Sequence, residues 1–211
     1  MARVDDYRES FRLAEASLIT ANVHRLAKLA GADVFARDDG GYDVHLEYVG
    51  DRYSITVGKD VKIVDEGKGE EPSLPVQILL CHYLLSGSQE APTGELVAFR
   101  QVPDGRFYFD AFQRRARDPL LATFGKNLDL FRQCVSMAGG ELINTGDAGA
   151  SFRVLPKVTI RYVLWEGDDE FPPDANILFD SNIHTFFPAE DIALLASLVV
   201  YKLMGIARGL K

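Results

Sequence analysis

Regular alternation of apolar and polar residues limits the folds open to this chain more than any other feature of its sequence. Apolar side chains occupy every second position from Tyr42 to Tyr48 and again from Tyr53 to Val57, with Gly50-Asp51 between the two runs. This spacing predicts a β-hairpin with a short turn and one apolar face on both strands. Because an apolar sheet face must be covered by a second layer of structure, other elements have to pack against the hairpin.

Predicted helices flank the hairpin. Apolar residues recur at helical spacing from Asp5 to Gly31, which predicts one long amphipathic helix that ends at the glycine. A third short strand is predicted at Val61–Val64, and Pro75 suits the first turn of a helix that stops near Gly87. The first half of the chain therefore has the predicted order α-β-β-β-α.

The second half of the chain repeats this order with a weakly similar sequence. Helices are predicted from Asp118 towards Ala138 with a break near Gly125, strands follow up to Trp165, and Pro188 leads a last helix. The repeated order predicts an internal duplication.

The predicted fold is α+β and consists of two degenerate α-β-β-β-α halves. The halves span residues 5–87 and 118–208, and a bridge at 88–117 joins them and contains one strand, at Glu95–Val102. Since each half alone is small, we expect the two to pack as one pseudo-symmetric domain over residues 1–211.

Composition and charge exclude several classes of protein. With 47% apolar and 26% charged residues, the chain resembles an ordinary soluble domain and not a disordered or collagen-like one. A formal net charge of −8 disfavours nucleic acid and anionic membranes as partners. The most apolar stretch, Ile192–Tyr201, is shorter than the roughly 20 residues of a membrane-spanning helix, and the N-terminus lacks a secretory signal. We therefore expect a cytoplasmic protein, with Cys81 and Cys134 as buried thiols.

Negative charge concentrates in one segment. Residues 165–191 contain eight carboxylates and no lysine or arginine. A Pro-rich turn followed by a returning strand is expected to bring Asp168, Glu170 and Asp180 together. Three carboxylates suit a divalent cation such as Ca²⁺ or Mg²⁺, and His184 could ligate the metal or move a proton. The alternative is an acidic turn that is exposed to solvent.

Arginine and aromatic residues concentrate in the bridge. Between residues 100 and 117, five arginines accompany two aspartates. The interleaved aromatic residues are Phe107, Tyr108, Phe109 and Phe112. A guanidinium such as that of Arg115 and a ring such as that of Phe112 could hold an anionic ligand with a flat ring. The alternative places the aromatic rings in the core and pairs the arginines with the acidic segment.

His82 is the histidine that the helical pattern distinguishes. It follows Ile78 by four residues and precedes Leu85 by three, so it is predicted on an apolar helix face. An imidazole there could be an axial ligand to haem or a corrinoid, while the alternative is an ordinary core or partly exposed histidine. The sequence contains no serine-hydrolase elbow, P-loop, dinucleotide-binding fingerprint or zinc-spaced ligand set, so it leaves open whether the protein is an enzyme.

The segments Trp165–Pro172, Ile177–Asp180 and Pro188–Asp191 resemble a family known only as a domain of unknown function. The likeness extends over most of the chain, including Thr93-Gly94-Glu95 and Phe124-Gly125. It implies a setting in anaerobic bacteria and archaea, where some members carry an iron–sulfur domain of the kind found beside corrinoid proteins. The four cysteines of such a cluster are absent here, so electron transfer would need a partner or another cofactor. The resemblance assigns no role to its motif residues.

Three functions are compatible with these patterns. The first, which we rank highest, is a cytoplasmic module of anaerobic metabolism that binds a small molecule or a tetrapyrrole-type cofactor. Its candidate cofactor-binding residues are His82, Trp165, Arg115 and Phe112. The second is a metal-assisted hydrolase or lyase that uses the acidic turn and His184. The third is an assembly protein without a ligand, whose acidic segment binds a protein partner; an iron–sulfur protein is one such partner.

Overall fold

The structure of the chain, a computed structural model, describes residues 4–210. Met1–Arg3 and Lys211 lie outside these residues. The expected absence of a secretory signal rests partly on Met1–Arg3. The chain divides into two compact units. The N-terminal unit comprises Met1–Ala91, Leu155–Lys157 and Thr185–Phe187. The C-terminal unit comprises Pro92–Val154, Val158–His184 and Pro188–Lys211.

Two helices, not one, open the N-terminal unit. They are α1 (Val4–Thr20) and α2 (Val23–Ala30). The prediction of a single helix is wrong because the Asn22 side chain accepts the backbone N–H of Arg25 at 3.0 Å and caps a new helix. Gly31 ends α2 in the left-handed conformation, with φ 74°, as predicted.

The sheet of the N-terminal unit is antiparallel, with its strands in sequence order. They are β1 (Asp33–Ala36), β2 (Tyr42–Tyr48), β3 (Asp51–Val57) and β4 (Val61–Asp65). The predicted hairpin is confirmed, but its turn lies one residue earlier, at Val49-Gly50, where both residues have positive φ. The alternating apolar side chains, among them Val44, Leu46 and Ile55, are buried on one face of the sheet.

The helix α3 (Leu74–Ser86) completes the N-terminal unit. It has Pro75 in its first turn and the left-handed Gly87 after its last residue, as predicted. Both α1 and α2 pack against α3 and contact strands of the sheet. Its cysteine, Cys81, is a buried thiol, as predicted, and burial raises the pKa of that thiol to about 12.

The C-terminal unit contains the second antiparallel sheet, in the order β5-β9-β8-β7-β6. Its strands are β5 (Leu96–Ala98), β6 (Glu141–Ile143), β7 (Ala148–Leu155), β8 (Val158–Trp165) and β9 (Asp174–Asp180). In register, Ile160 lies opposite Phe179 and Tyr162 lies opposite Ile177. These four side chains are buried. They form the core-facing side of the sheet, and the Tyr162 hydroxyl donates to the Ala196 carbonyl of the last helix at 2.9 Å.

Helices of the C-terminal unit surround its last helix. They are α4 (Gly105–Phe112), α5 (Asp118–Phe124), α6 (Leu128–Met137) and α7 (Ala189–Gly209). A single π-helical stretch, Gln113–Arg117, joins α4 to α5, and short 3₁₀ segments lie at Phe99–Gln101 and Ser181–Thr185. The helix α7 packs against α4, α5 and α6. The predicted break near Gly125 and the predicted helix after Pro188 are confirmed.

The α+β class is therefore confirmed, with a four-stranded and a five-stranded sheet within residues 4–210. The internal duplication and the packing of the halves as one domain stay predictions. Most of the predicted bridge belongs to the C-terminal unit. The helix α7 is long and apolar enough to cross a membrane by length and composition alone. However, 56% of its most apolar window is buried inside the protein, as in the core helix of a soluble domain.

Candidate functional site

The acidic turn is shaped by Asp168. Its Oδ1 accepts the backbone N–H groups of Glu170 at 2.8 Å and Phe171 at 2.7 Å. The N–H groups of Phe171 and Glu170 hold the pKa of Asp168 below its ordinary value. The turn borders a cavity of about 370 Å³ that Gly125 and Lys126 also line. Asp168 therefore serves the conformation of the turn, and its side chain is exposed to solvent.

Asp180 lies at the other end of β9 from this turn. Trp165 pairs with Asp174 next to the turn, and β9 then runs six residues further to Asp180. At about 3.3 Å per residue this separates the two ends by roughly 20 Å. The predicted convergence of Asp168, Glu170 and Asp180 is therefore wrong, because an extended strand lies between them.

Asp180 instead fixes the loop that leads into β5. It accepts the N–H of Thr93 at 3.0 Å, the N–H of Gly94 at 2.8 Å and the Thr93 hydroxyl at 2.9 Å. It also accepts the N–H of Asn182 at 3.1 Å. Partial burial opposes ionisation, but the N–H groups of Thr93, Asn182 and Gly94 outweigh it and lower the pKa of Asp180.

Replacing Asp180 with asparagine is expected to lower the free energy of unfolding by about 1–2 kcal/mol at neutral pH, because one acceptor oxygen becomes a donor facing N–H groups. The folded-state pKa lies below the unfolded one, so this stabilisation is present above about pH 4 and is lost as the pH falls through the folded-state pKa. Urea unfolding from neutral to acid pH measures both effects. Asp169→Asn in the exposed turn is the matched control, and an equal loss in both variants would contradict the assignment.

His184 takes no part in a metal-ligand cluster. Its Nδ1 lies 2.8 Å from the Ser181 carbonyl oxygen and its side chain is exposed. Within residues 4–210, no group of three or more histidine, cysteine, aspartate or glutamate side chains is arranged to hold a metal ion. The residues predicted to hold a divalent cation thus have structural partners or lie apart.

Phe112 belongs to an aromatic cluster in the core of the C-terminal unit. It is 3% exposed and stacks on Phe99, with ring centroids 4.2 Å apart and planes 2° apart. Phe179 and Phe109 lie 6.3 Å from it. A ligand ring cannot stack on Phe112 in this arrangement, so the structure matches the alternative in which this ring is part of the core.

Arg117 fits the alternative in which the arginines pair with the acidic segment. Its guanidinium binds the carboxylate of Asp174 and donates to the Ala175 carbonyl at 3.2 Å. It therefore anchors the π-helical stretch to the start of β9, within the acidic segment. Arg115 is half-buried in the same stretch.

The remaining arginines and aromatic residues lie on α4 and on the 3₁₀ and π-helical segments that flank it. We call this set the arginine–aromatic surface, and it consists of Arg100, Arg106, Phe107, Tyr108, Phe109 and Arg114. Phe107 is 86% exposed, and the Arg100 guanidinium lies 3.8 Å from the centre of the Phe109 ring. Gly105 starts the helix where an added Cβ would lie 2.0 Å from the Phe99 carbonyl oxygen, so only glycine fits. The helix α4 was not predicted from the sequence, because its aromatic residues follow one another without a clear period.

The two other candidate residues lie apart from this surface. His82 is half-buried in α3 of the N-terminal unit. Trp165 is 39% exposed at the end of β8, in the C-terminal unit. The four predicted cofactor-binding residues are thus divided between the two units.

A cavity of about 600 Å³ in the N-terminal unit was not predicted from the sequence. Ile19, Ala21 and Val23 line it on the helical side, where α1 ends and α2 begins. Residues 39–42 and 56–60 line it on the sheet side, together with Arg37. The break at Asn22 and the glycines at 40, 41 and 58 were the available signals, but they are distant in sequence.

Comparison with protein families finds a match over residues 23–202. The matching family model is described as a domain of unknown function, DUF3786. No curated protein and no solved structure matches the chain.

Proposed function

The chain belongs to the DUF3786 family of domains of unknown function, and from that premise we propose that it is a small-molecule-binding module whose ligand occupies the cavity of the N-terminal unit. The volume of this cavity supports the proposal, because about 600 Å³ falls within the range of roughly 300–1,000 Å³ that is usual for small-molecule sites. Consistent with the setting that the family resemblance implies, the proposed ligand is a metabolite of anaerobic metabolism in the cytoplasm.

The lining combines an apolar floor with a polar rim. Val23 and Val57 supply buried aliphatic side chains and Ile19 one that is 38% exposed, whereas Lys59 and Asp60 are exposed and supply charge. Pockets for organic ligands have this composition, in which apolar contacts provide affinity and a few polar groups fix orientation. The floor fits a ligand with an apolar body.

Arg37 is the most firmly held polar group of the rim. Its guanidinium donates to Asp39 at 3.2 Å and to Asp43 at 3.1 Å, and Asp43 also accepts the Thr56 hydroxyl at 2.8 Å. Hydrogen bonds to Asp39 and Asp43 raise the pKa of Arg37. The terminal nitrogen Nη2 carries two N–H groups and donates to a single acceptor, Asp39 at 3.2 Å, so one N–H remains for a ligand acceptor. A carboxylate or carbonyl group on the ligand would meet this fixed donor.

A tetrapyrrole with a metal centre fits this cavity less well than a metal-free ligand. Among the residues that line it there is no histidine, cysteine or methionine, and Tyr42 is the one lining residue of a type that serves as an axial ligand. His82, the candidate axial ligand, is not part of the lining. The proposal therefore concerns an organic ligand with an apolar body and an acceptor group.

The variant Gly58→Gln is expected to weaken ligand binding at least about tenfold, equivalent to about 1.4 kcal/mol. Gly58 lines the cavity, and a Cβ added there meets no atom within 4 Å, so a larger side chain fills the site without straining the fold. The probe is 8-anilinonaphthalene-1-sulfonate, which has an apolar body and an acidic group, titrated by fluorescence with anaerobically purified protein.

The matched control is Gly205→Gln. Gly205 lies on α7 in the C-terminal unit and also has open space around its Cβ position. It should leave binding of the probe unchanged, and both variants should keep the wild-type melting temperature within a few degrees. Equal binding by wild type and Gly58→Gln would overturn the proposal.

A further inference from the structure

Within residues 4–210, the arginines of the arginine–aromatic surface have no carboxylate partner. Its residues Arg106 and Arg114 make no ion pair with a carboxylate in the part of the chain that the structure describes. Phe107 leaves 86% of its surface exposed, although burying such a ring is worth about 1.5–3 kcal/mol. Arginine and aromatic residues are enriched in the buried centres of protein interfaces.

The acidic turn, residues 166–171, has the complementary chemistry. The carboxylates of Glu166, Asp169 and Glu170 make no ion pair within residues 4–210. Phe171 at the end of the turn is 67% exposed. The turn therefore presents negative charge beside an exposed ring, whereas the arginine–aromatic surface presents positive charge beside exposed rings.

We propose that the arginine–aromatic surface of one copy of this chain binds the acidic turn of a second copy. Charge complementarity selects this occupant, because the acidic turn carries four carboxylates and no lysine or arginine. Two copies therefore attract when the acidic turn of one meets the arginines of the other. Phe107 and Phe171 become buried in the contact and supply its apolar centre.

This contact joins two different surfaces, so it is heterologous. Such a contact produces closed rings or open chains, because every copy still offers one surface of each kind until the ring closes. The proposal involves only the C-terminal unit and is independent of the ligand cavity in the N-terminal unit.

Sedimentation velocity tests the contact on the full-length protein. The wild type is expected to form dimers or larger species at low salt and to dissociate as added salt screens the charges. The basic-surface variant Arg106→Glu/Phe107→Ala and the acidic-turn variant Asp169→Lys/Glu170→Lys are each expected to associate at least about 30-fold more weakly. Arg25→Glu, at an exposed position on α2, is the charge-reversal control and should associate as the wild type does.

Mixing the two variants provides the decisive measurement. The basic-surface variant keeps an intact acidic turn, and the acidic-turn variant keeps an intact arginine–aromatic surface. An equimolar mixture is therefore expected to form a species of two copies and nothing larger, with circular dichroism showing that both variants are folded. A wild type that stays monomeric at low salt overturns the proposal, as does a mixture that stays monomeric. If a polyglutamate peptide binds the surface while the chain stays monomeric, the occupant is a different acidic protein.

Discussion

Replacing Phe112 with alanine is expected to lower the free energy of unfolding by about 3–5 kcal/mol, as is usual when a buried aromatic ring is removed from a core. The ring is 3% exposed and lies against Phe99, Phe109 and Phe179. Alanine would leave a space that these rings cannot fill without moving from their present positions. Urea denaturation followed by circular dichroism measures the loss.

The matched control is Phe107→Ala on the same helix. Its ring is 86% exposed, so in salt that keeps the chain monomeric truncation should change stability by no more than about 0.5 kcal/mol. The two variants distinguish a Phe112 ring that is part of the core from one that stacks on a ligand. A ligand-stacking Phe112 would tolerate truncation as well as Phe107 does, and similar stabilities for both variants would restore the ligand-binding interpretation.

Elements with a regular apolar pattern were predictable from the sequence. The alternation in β2 and β3 reflects a sheet that is buried on one face, and Gly87 marks a helix end because it adopts positive φ there. The break between α1 and α2 was not predictable from periodicity, since the apolar pattern continues across it. It depends on one side-chain hydrogen bond from Asn22, which competes with continuation of the helix.

The candidate metal site illustrates a different limit. The carboxylates were correctly predicted on a turn and on the following strand, but the distance from the turn increases along an antiparallel pair of strands. Trp165 and Asp174 face each other, whereas Asp180 lies at the far end of β9 and holds Thr93 and Gly94. A carboxylate such as Asp180 accepts hydrogen bonds from the backbone of nearby loops. The charge pattern of a sequence does not reveal the conformation of those loops.

The cavity of the N-terminal unit could not be predicted for a related reason. Its lining comes from the end of α1, the start of α2 and two separate loops of the sheet. Each segment has an adequate structural explanation by itself, so no single motif indicates a site. Only the register of β2 with β3, which brings Tyr42 opposite Val57, places the two loops beside each other.

Tyr83 is the residue of the N-terminal unit for which we expect the largest effect, a loss of about 4–5 kcal/mol in Tyr83→Ala. It is fully buried, and its ring stacks on Phe186 and Phe187. Its hydroxyl donates to the Ala30 carbonyl at 2.8 Å and accepts the N–H of Lys157 at 3.2 Å. Tyr83 thus joins α3 to the end of α2 and to the two later segments of the unit, Leu155–Lys157 and Thr185–Phe187.

The conservative variant Tyr83→Phe separates the ring from the hydroxyl. It keeps the stacking but leaves the Ala30 carbonyl and the Lys157 N–H without this partner, so we expect a loss of about 1–3 kcal/mol. Tyr201→Ala, at a side chain that is 45% exposed, is the control and should cost little. Hydrogen exchange of the β2 and β3 amides reports on the N-terminal unit, whereas fluorescence of Trp165, the only tryptophan of the chain, reports on the C-terminal unit. Unchanged protection of β2 and β3 in Tyr83→Ala would contradict the expected loss of stability.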